Sequence, residues 1–260
     1  MSEAVARVTR ISIAPVKGLA LIHPDEVLVG ERGVAENRRF YVIDEIGRRY
    51  GLTRDASLVQ VRAAYDADTD WLQLRFPGGK VVEERVVRGE RVEADFFGRP
   101  VEGEVVQGAF GEALSSFAGR PLRLVWASRP GDGVDRECGE VSLMSRGSLE
   151  ELARRSRADG VDGRRFRMLF EVDGVEPHAE DAWIGVDLRV GEAVIRLRGR
   201  VARCAITTQN PDTGRVDFDT LREIKAYRCG GVDGGQIDFG VFGGVVAPGR
   251  VRIGDVVALC

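Results

Sequence analysis

Short apolar runs cut by glycine constrain this chain's fold more than any other feature. "RRFYVIDEIGRRYG" reads as a strand, a turn at Glu45, Ile46 and Gly47, and a second strand, a hairpin signature. "WLQLRF", "KVVEERVV" and "VEGEVV" are further short runs bounded by glycine or proline. The tail, "FGVFGGVVAPGRVRIGDVVAL", reads as strand, Pro-Gly turn, strand, Gly-Asp turn and strand. "RVGEAV" and "RIGDVV" look like one hairpin idiom used twice. With 33 glycines punctuating such runs, the chain is expected to be rich in turns and bulges, and mainly β.

Three segments read as helices. "GEALSSFAGRP" stops at Gly119, with Pro121 just beyond, as helix ends commonly do. In "GSLEELARRSRADG", Ser148 and Glu151 have capping-box spacing, Leu149 and Leu152 share a face, and Gly160 closes the helix. "FDTLREIKAYR" is capped by Asp217 or Asp219, with Leu221 and Ile224 inward. The expected architecture is mainly β with a few helices (α+β). A smaller β domain over 1–125 precedes a β-barrel-like domain over 126–260, and the halves pack closely because no low-complexity linker separates them.

Composition removes several classes of function. The net charge is -3 with no basic block, so no nucleic-acid partner is expected. No apolar run is long enough to cross a bilayer, and the charged N-terminal stretch lacks a signal-peptide core. A cytoplasmic protein with no membrane partner is expected. Cys138, Cys204, Cys229 and Cys260 form no C-x-x-C pair and read as free thiols. His23 and His178, each near a proline, read as exposed turn residues, too few for a zinc site of the usual kind. A dinucleotide fingerprint is missing, and the cysteines are too dispersed to hold an iron–sulfur cluster.

"RCAITTQNPDTG" raises a sharper question. Cys204 stands where a strand ends and a polar turn begins, preceded by Arg203 and followed by Thr207 and Thr208. A cysteine is often a small buried hydrophobe. A nearby guanidinium, however, favours the thiolate that binds soft metals. On the residues alone both readings stand.

With "TLREIKAYR" downstream, this stretch resembles the signature of the MOSC family, the molybdenum cofactor sulfurase C-terminal domains. "RFRMLFEVDG", "EPHAEDAWIGVDLRVGE" and the closing hairpins fit the same order. "APVKG" and "GERGVAENRRFYVIDEIGR" resemble the β-barrel domain that precedes MOSC in many members. The resemblance covers nearly the whole chain, which is similar to the amidoxime-reducing component class.

The resemblance implies a bound molybdenum cofactor, a metal on a pterin dithiolene that ends in a phosphate. Cys204 then takes the place of the metal ligand and catalytic cysteine. Lys17, Arg38, Arg167, Arg203, Thr207 and Tyr227 are the implied cofactor-binding residues. Pyridoxal phosphate binding is a further association of the family. The implied activity is reduction of a small N-hydroxylated substrate, with electrons from a separate electron-transfer protein. The alternative is a cofactor or sulfur carrier without turnover, or a small-ligand β-barrel protein that has lost the metal. Three departures stand out. Gly18 replaces a serine, Asn37 replaces an aspartate before Arg38, and Leu169 replaces an asparagine, which implies a drier pocket or another donor. Glu180, Asp181 and Trp183 match the family's acidic pair and tryptophan, with a structural role expected for them.

Overall fold

The computed structural model describes residues 4–135, 139–228 and 236–260. Strands of the first half are β1 Ala4–Ile11, β2 Glu26–Gly30, β3 Gly33–Val34, β4 Phe40–Asp44, β5 Arg49–Tyr50, β6 Arg62–Asp66, β7 Trp71–Arg75, β8 Val81–Arg85, β9 Arg88–Asp95 and β10 Pro100–Val106. Helix α1, Phe110–Ala118, follows, and then β11, Leu122–Ala127. The second half holds β12 Val141–Ser145, α2 Arg146–Ser156, β13 Phe170–Asp173, β14 Asp187–Val190, β15 Ala193–Ala202, α3 Thr220–Arg228, β16 Asp238–Ala247, β17 Gly249–Arg252 and β18 Val256–Leu259. The mainly β reading holds.

Seven strands close a barrel in the order β1, β13, β12, β16, β15, β14, β18. Its neighbours are antiparallel except β12 and β13, which run parallel because α2 carries the chain back between them. Ile11, Leu143, Phe170, Leu188, Ile195 and Val241 are fully buried in its core. β1 lies between β13 and β18, so the barrel closes only with the first strand of the chain. β2 likewise pairs with β17, far along the sequence, and β3 pairs with β2 on its other side. Sheet pairing therefore crosses the division expected near residue 125.

The rest of the first half is a five-stranded sheet, β5-β4-β11-β10-β9, and a three-stranded sheet, β6-β7-β8. Phe40, Leu58, Leu72, Leu74, Phe110 and Leu124 pack between them and α1. On the other face of the larger sheet, Tyr41, Ile43, Phe96 and Val125 form a second small core. This explains why β4 is buried at every position instead of alternating.

Local structure agrees with several expectations and corrects others. α1 ends on Gly119 in the left-handed conformation, as expected. Asp219 caps α3, its carboxylate accepting from the Arg222 N–H at 3.1 Å, and Ile224 is buried beneath. α2 differs. Its cap is Ser145, whose hydroxyl accepts from the Ser148 N–H at 3.1 Å, and it ends on left-handed Arg157, not on Gly160. Ser148 is occupied elsewhere, since its hydroxyl donates to Glu180 Oε1 at 2.8 Å and accepts from the His178 N–H at 2.9 Å. Glu151 meanwhile pairs with Arg154 and Arg155. "RVGEAV" is a true hairpin between β14 and β15, but "RIGDVV" joins β17 and β18, which enter different sheets.

His23 is exposed as expected, whereas His178 is half-buried. His23 Nδ1 lies 3.0 Å from the Ser12 hydroxyl. His178 Nε2 lies 3.2 Å from the Tyr227 hydroxyl. Burial, with Arg228 nearby, pushes the His178 imidazole down to about 4, so it is neutral at pH 7. Cys204 and Cys260 are free and exposed, while Cys138 and Cys229 lie outside the described residues.

The capping geometry makes a ranked prediction. Ser145→Ala removes one cap and costs about 1 kcal/mol. Ser148→Ala removes a hydrogen bond from the fully buried Glu180 carboxyl and costs about 2 kcal/mol or more. Urea unfolding of the two variants measures the order, and a milder loss for Ser148→Ala would restore Ser148 as the cap.

Candidate functional site

A cavity of about 240 Å³ opens where the first half meets the barrel. Six cations line it: Lys17, Arg38, Arg49, Arg165, Arg167 and Arg203. Asp135 is the one acidic residue among its described lining. In a chain of net charge -3, such a local surplus makes an anion-attracting hollow.

Lys17 follows the first strand. Its backbone N–H donates to the Phe40 carbonyl at 2.7 Å, which ties the loop to β4. Its ammonium donates to the Gly133 carbonyl and to Asp135, both at 2.8 Å. Burial pushes Lys17 down to about 8, against the opposing pull of Asp135 and with added repulsion from Arg38 and Arg49. Burial also opposes ionisation of Asp135, yet Lys17, Arg38 and Arg49 outweigh it and hold this carboxyl at about 2. Gly133 is required here, because a Cβ would stand 1.9 Å from the Arg38 carbonyl oxygen.

Arg38 and Arg167 share an uncommon feature, since both are non-glycine residues in the left-handed region, with φ of 54° and 52°. Arg38 donates to the Arg167 carbonyl at 3.0 Å, and Arg167 donates to the Leu19 carbonyl at 2.6 Å. Arg38 thus braces the Arg167 backbone, and Arg167 in turn ties to the loop at Leu19. Burial pushes Arg167 down to about 9, with Arg38 adding repulsion, so it stays cationic at neutral pH. Strained backbone at a charged cavity is a common mark of a functional site.

Cys204 follows the end of β15 and lines the same cavity, exposed. Its carbonyl accepts from the Thr207 N–H at 3.1 Å and the Thr207 hydroxyl at 3.0 Å, starting the 3₁₀ turn Ala205–Thr208. Thr207 also meets the Thr220 hydroxyl at 2.5 Å, which anchors the turn to α3. Arg203 spends donors on carbonyls, donating to Phe239 at 2.8 Å and to Phe166 at 2.9 Å, and so clamps the strand end. Between the two readings left open for Cys204, the geometry selects the exposed thiol.

Of the expected site residues, Lys17, Arg38, Arg167, Arg203, Cys204 and Thr207 all reach the cavity. Tyr227 does not. It lies on α3 against His178, with Arg155 over its ring. The departures also find their places. Gly18 lines the cavity with φ +86, a conformation a serine rarely adopts. Asn37 is buried and accepts the Ala14 N–H at 3.1 Å. Leu169 does not face the cavity, so it cannot dry it. It points into the barrel core, and its N–H is held by the hydroxyl of Ser142, which does line the cavity. Glu180, Asp181 and Trp183 take structural places: Glu180 accepts from Ser145 and Ser148, Asp181 pairs with Arg228 at 2.7 Å, and Trp183 joins the barrel core.

Arg49, Asp135, Ser142 and Phe97 are cavity residues that sequence reasoning missed. None sits in a motif of its own, so only the fold identifies them. Among the described residues, no group of three His, Cys, Asp or Glu side chains could hold a metal. A metal here would have to arrive with most of its own ligands. One soft thiol among cations suits a group that brings sulfur ligands and an anionic tail, so the donor set fits a metal–pterin phosphate.

Two family models match the chain in series. The MOSC N-terminal beta barrel domain model matches residues 5–121, and the MOSC domain model matches residues 130–258. Mitochondrial amidoxime-reducing component 1 of Homo sapiens is 25% identical, over 99% of this chain and 84% of its own length. The protein of the same name from Xenopus laevis is 25% identical, over 98% of this chain and 82% of its own. Molybdenum cofactor sulfurase of Danio rerio is 23% identical over 90% of this chain, which spans 31% of that larger protein. With nearly its whole length matched by the two domain models in series, the chain belongs to the MOSC family and carries the family's N-terminal β barrel domain ahead of its MOSC domain.

Proposed function

We propose that this protein binds a molybdenum cofactor in the interdomain cavity and reduces N-hydroxylated compounds there, with Cys204 as the metal's thiolate ligand. The observation that carries the reading is the meeting of one exposed thiol with Lys17, Arg38 and Arg167 in a single cavity. The names of the human and Xenopus relatives support the substrate class, and the Danio relative supports the cofactor.

Lys17, Arg38 and Arg167 would hold the phosphate and pterin, the arginines by forked donors and the lysine as a point charge. When bound, the cofactor supplies a two-electron couple at which the N–O oxygen of the substrate leaves, with two protons, as water. The chain's own residues position and tune. Cys204 offers a soft, electron-rich sulfur, and the bonds from Thr207 to its carbonyl fix the strand end that presents it. Ser142 offers a hydroxyl at the cavity wall. Lys17 already has two partners, Gly133 and Asp135, and serves as a cation at neutral pH, so pyridoxal phosphate is not part of the reading. Electrons come from a separate electron-transfer protein.

Metal and pterin analysis tests the cofactor directly. Protein from a cofactor-replete host is expected to carry close to one molybdenum per chain, and Cys204→Ser to lose it while melting at the temperature of the metal-free wild type. The same substitution is expected to abolish benzamidoxime reduction by an artificial donor. Molybdenum bound without turnover under any donor would favour a carrier, and metal-free protein with labile sulfur on Cys204 would defeat the proposal.

Charge in the cavity is also testable by pH. Lys17 is protonated below about pH 8 and neutral above it, so anion affinity should hold up to neutral pH and fall as pH rises through that value. Sulfate stays a dianion across this range and is the suitable probe. Its stabilisation of the protein in thermal melts should be larger at about pH 7 than at about pH 9.5, with up to a tenfold loss of affinity per unit. Lys17→Met should flatten the profile, and a flat wild-type profile would remove Lys17 from the anion site.

A further inference from the structure

Phe97 is a costly residue with no packing role. It sits in the turn between β9 and β10 with φ 58°, a conformation that bulky side chains rarely adopt. It is 69% exposed. Its neighbour Phe96 does the structural work, fully buried with its ring centroid 5.1 Å from that of Tyr41. Phe97 instead lines the mouth of the cavity that Cys204 lines.

The ring is also held in place. The Arg49 guanidinium lies 4.2 Å from its centroid. Arg49 donates to Asp135 at 3.3 Å, and Asp135 pairs with Lys17. Arg99, two residues on, donates to the carbonyls of Asp132 at 2.8 Å and Val134 at 2.6 Å, which binds the turn to the loop that carries Asp135. An exposed ring, a stacked guanidinium and their anchoring carboxylate therefore form one fixed assembly at the cavity mouth.

We infer that Phe97, with Arg49 stacked on it, is the specificity wall of this site and selects planar, conjugated N-hydroxylated compounds over aliphatic ones. The inference rests on the proposed substrate class and deepens it. A π-face beside a delocalised cation attracts flat π-systems by stacking, whatever their sequence of ring atoms. A short aliphatic chain presents no such face and gains nothing from the wall. The first half of the chain would thus set substrate choice, while the barrel supplies the thiol.

The test compares benzamidoxime with acetamidoxime, which share the reacting group and differ in the ring. Binding to the protein as purified is measured by calorimetry without an electron donor, and molybdenum is assayed on the same samples. The wild type is expected to bind benzamidoxime at least about tenfold more tightly, the scale of one base–aromatic stack. Phe97→Gly accepts the left-handed backbone, so its melting temperature should stay level or rise. It should lose that advantage for benzamidoxime while acetamidoxime binding stays unchanged, and Phe97→Tyr should keep it. Equal losses for both ligands, an unchanged preference in Phe97→Gly, or no ring preference in the wild type would overturn the inference. Ring selectivity that depends on Phe97 in protein without molybdenum would leave the wall standing and defeat the cofactor reading instead.

Discussion

The barrel is closed by the first strand of the chain, and the site depends on that closure. β1 pairs with β13 and with β18, so residues 4–11 complete a barrel whose other strands all lie beyond residue 140. The chain must then leave the barrel at once to build the first half. The segment between, Ser12 to Leu19, is forced along the seam between the two bodies. Its N–H and carbonyl groups pair on both sides, Ser12 with Leu169 and Lys17 with Phe40. Lys17 is therefore placed at the junction by backbone pairing and not by its own side chain.

Crowding cations at such a seam is expensive, since burial and mutual repulsion both act against the charged forms. Here backbone carbonyls of Leu19, Gly133, Phe166, Arg167 and Phe239 take up many of the donors. A carbonyl satisfies a hydrogen without cancelling a charge. The cavity keeps a strong positive field while its side chains stay ordered, which is the condition a preformed anion site needs. Asp135 tempers that field at one end, where it joins Lys17 to Arg49. Phe97 lies at the same end, so charge and shape recognition meet at the mouth while the thiol of Cys204 stands on the barrel side.

Strand runs were legible because glycine and proline mark their ends locally, and β4, β7, β8 and β10 lie where such runs predict. The cap of α2 was not, because Ser145 with Ser148 and Ser148 with Glu151 both satisfy the local spacing. The buried Glu180 decides between them, and it lies more than thirty residues away. His178 escaped for the same reason, since Tyr227 and Phe239 half-bury a side chain that reads as exposed beside Pro177. Leu169 shows the opposite error. A substitution that reads as a lost donor points into the core, where a leucine packs well.

By itself the sequence determined the β-rich class, three helices, the cysteine at a strand end and most of the cations that gather near it. These follow from residue spacing, turn chemistry and a family signature, all of which act over short stretches of chain. Only the tertiary structure decided that Lys17, Arg38, Arg167 and Cys204 share one cavity, that Tyr227 stands apart from it, and that Arg49, Asp135 and Phe97 belong to it. Convergence of residues far apart in sequence depends on how the barrel closes and which strands pair, and no local pattern carries that information.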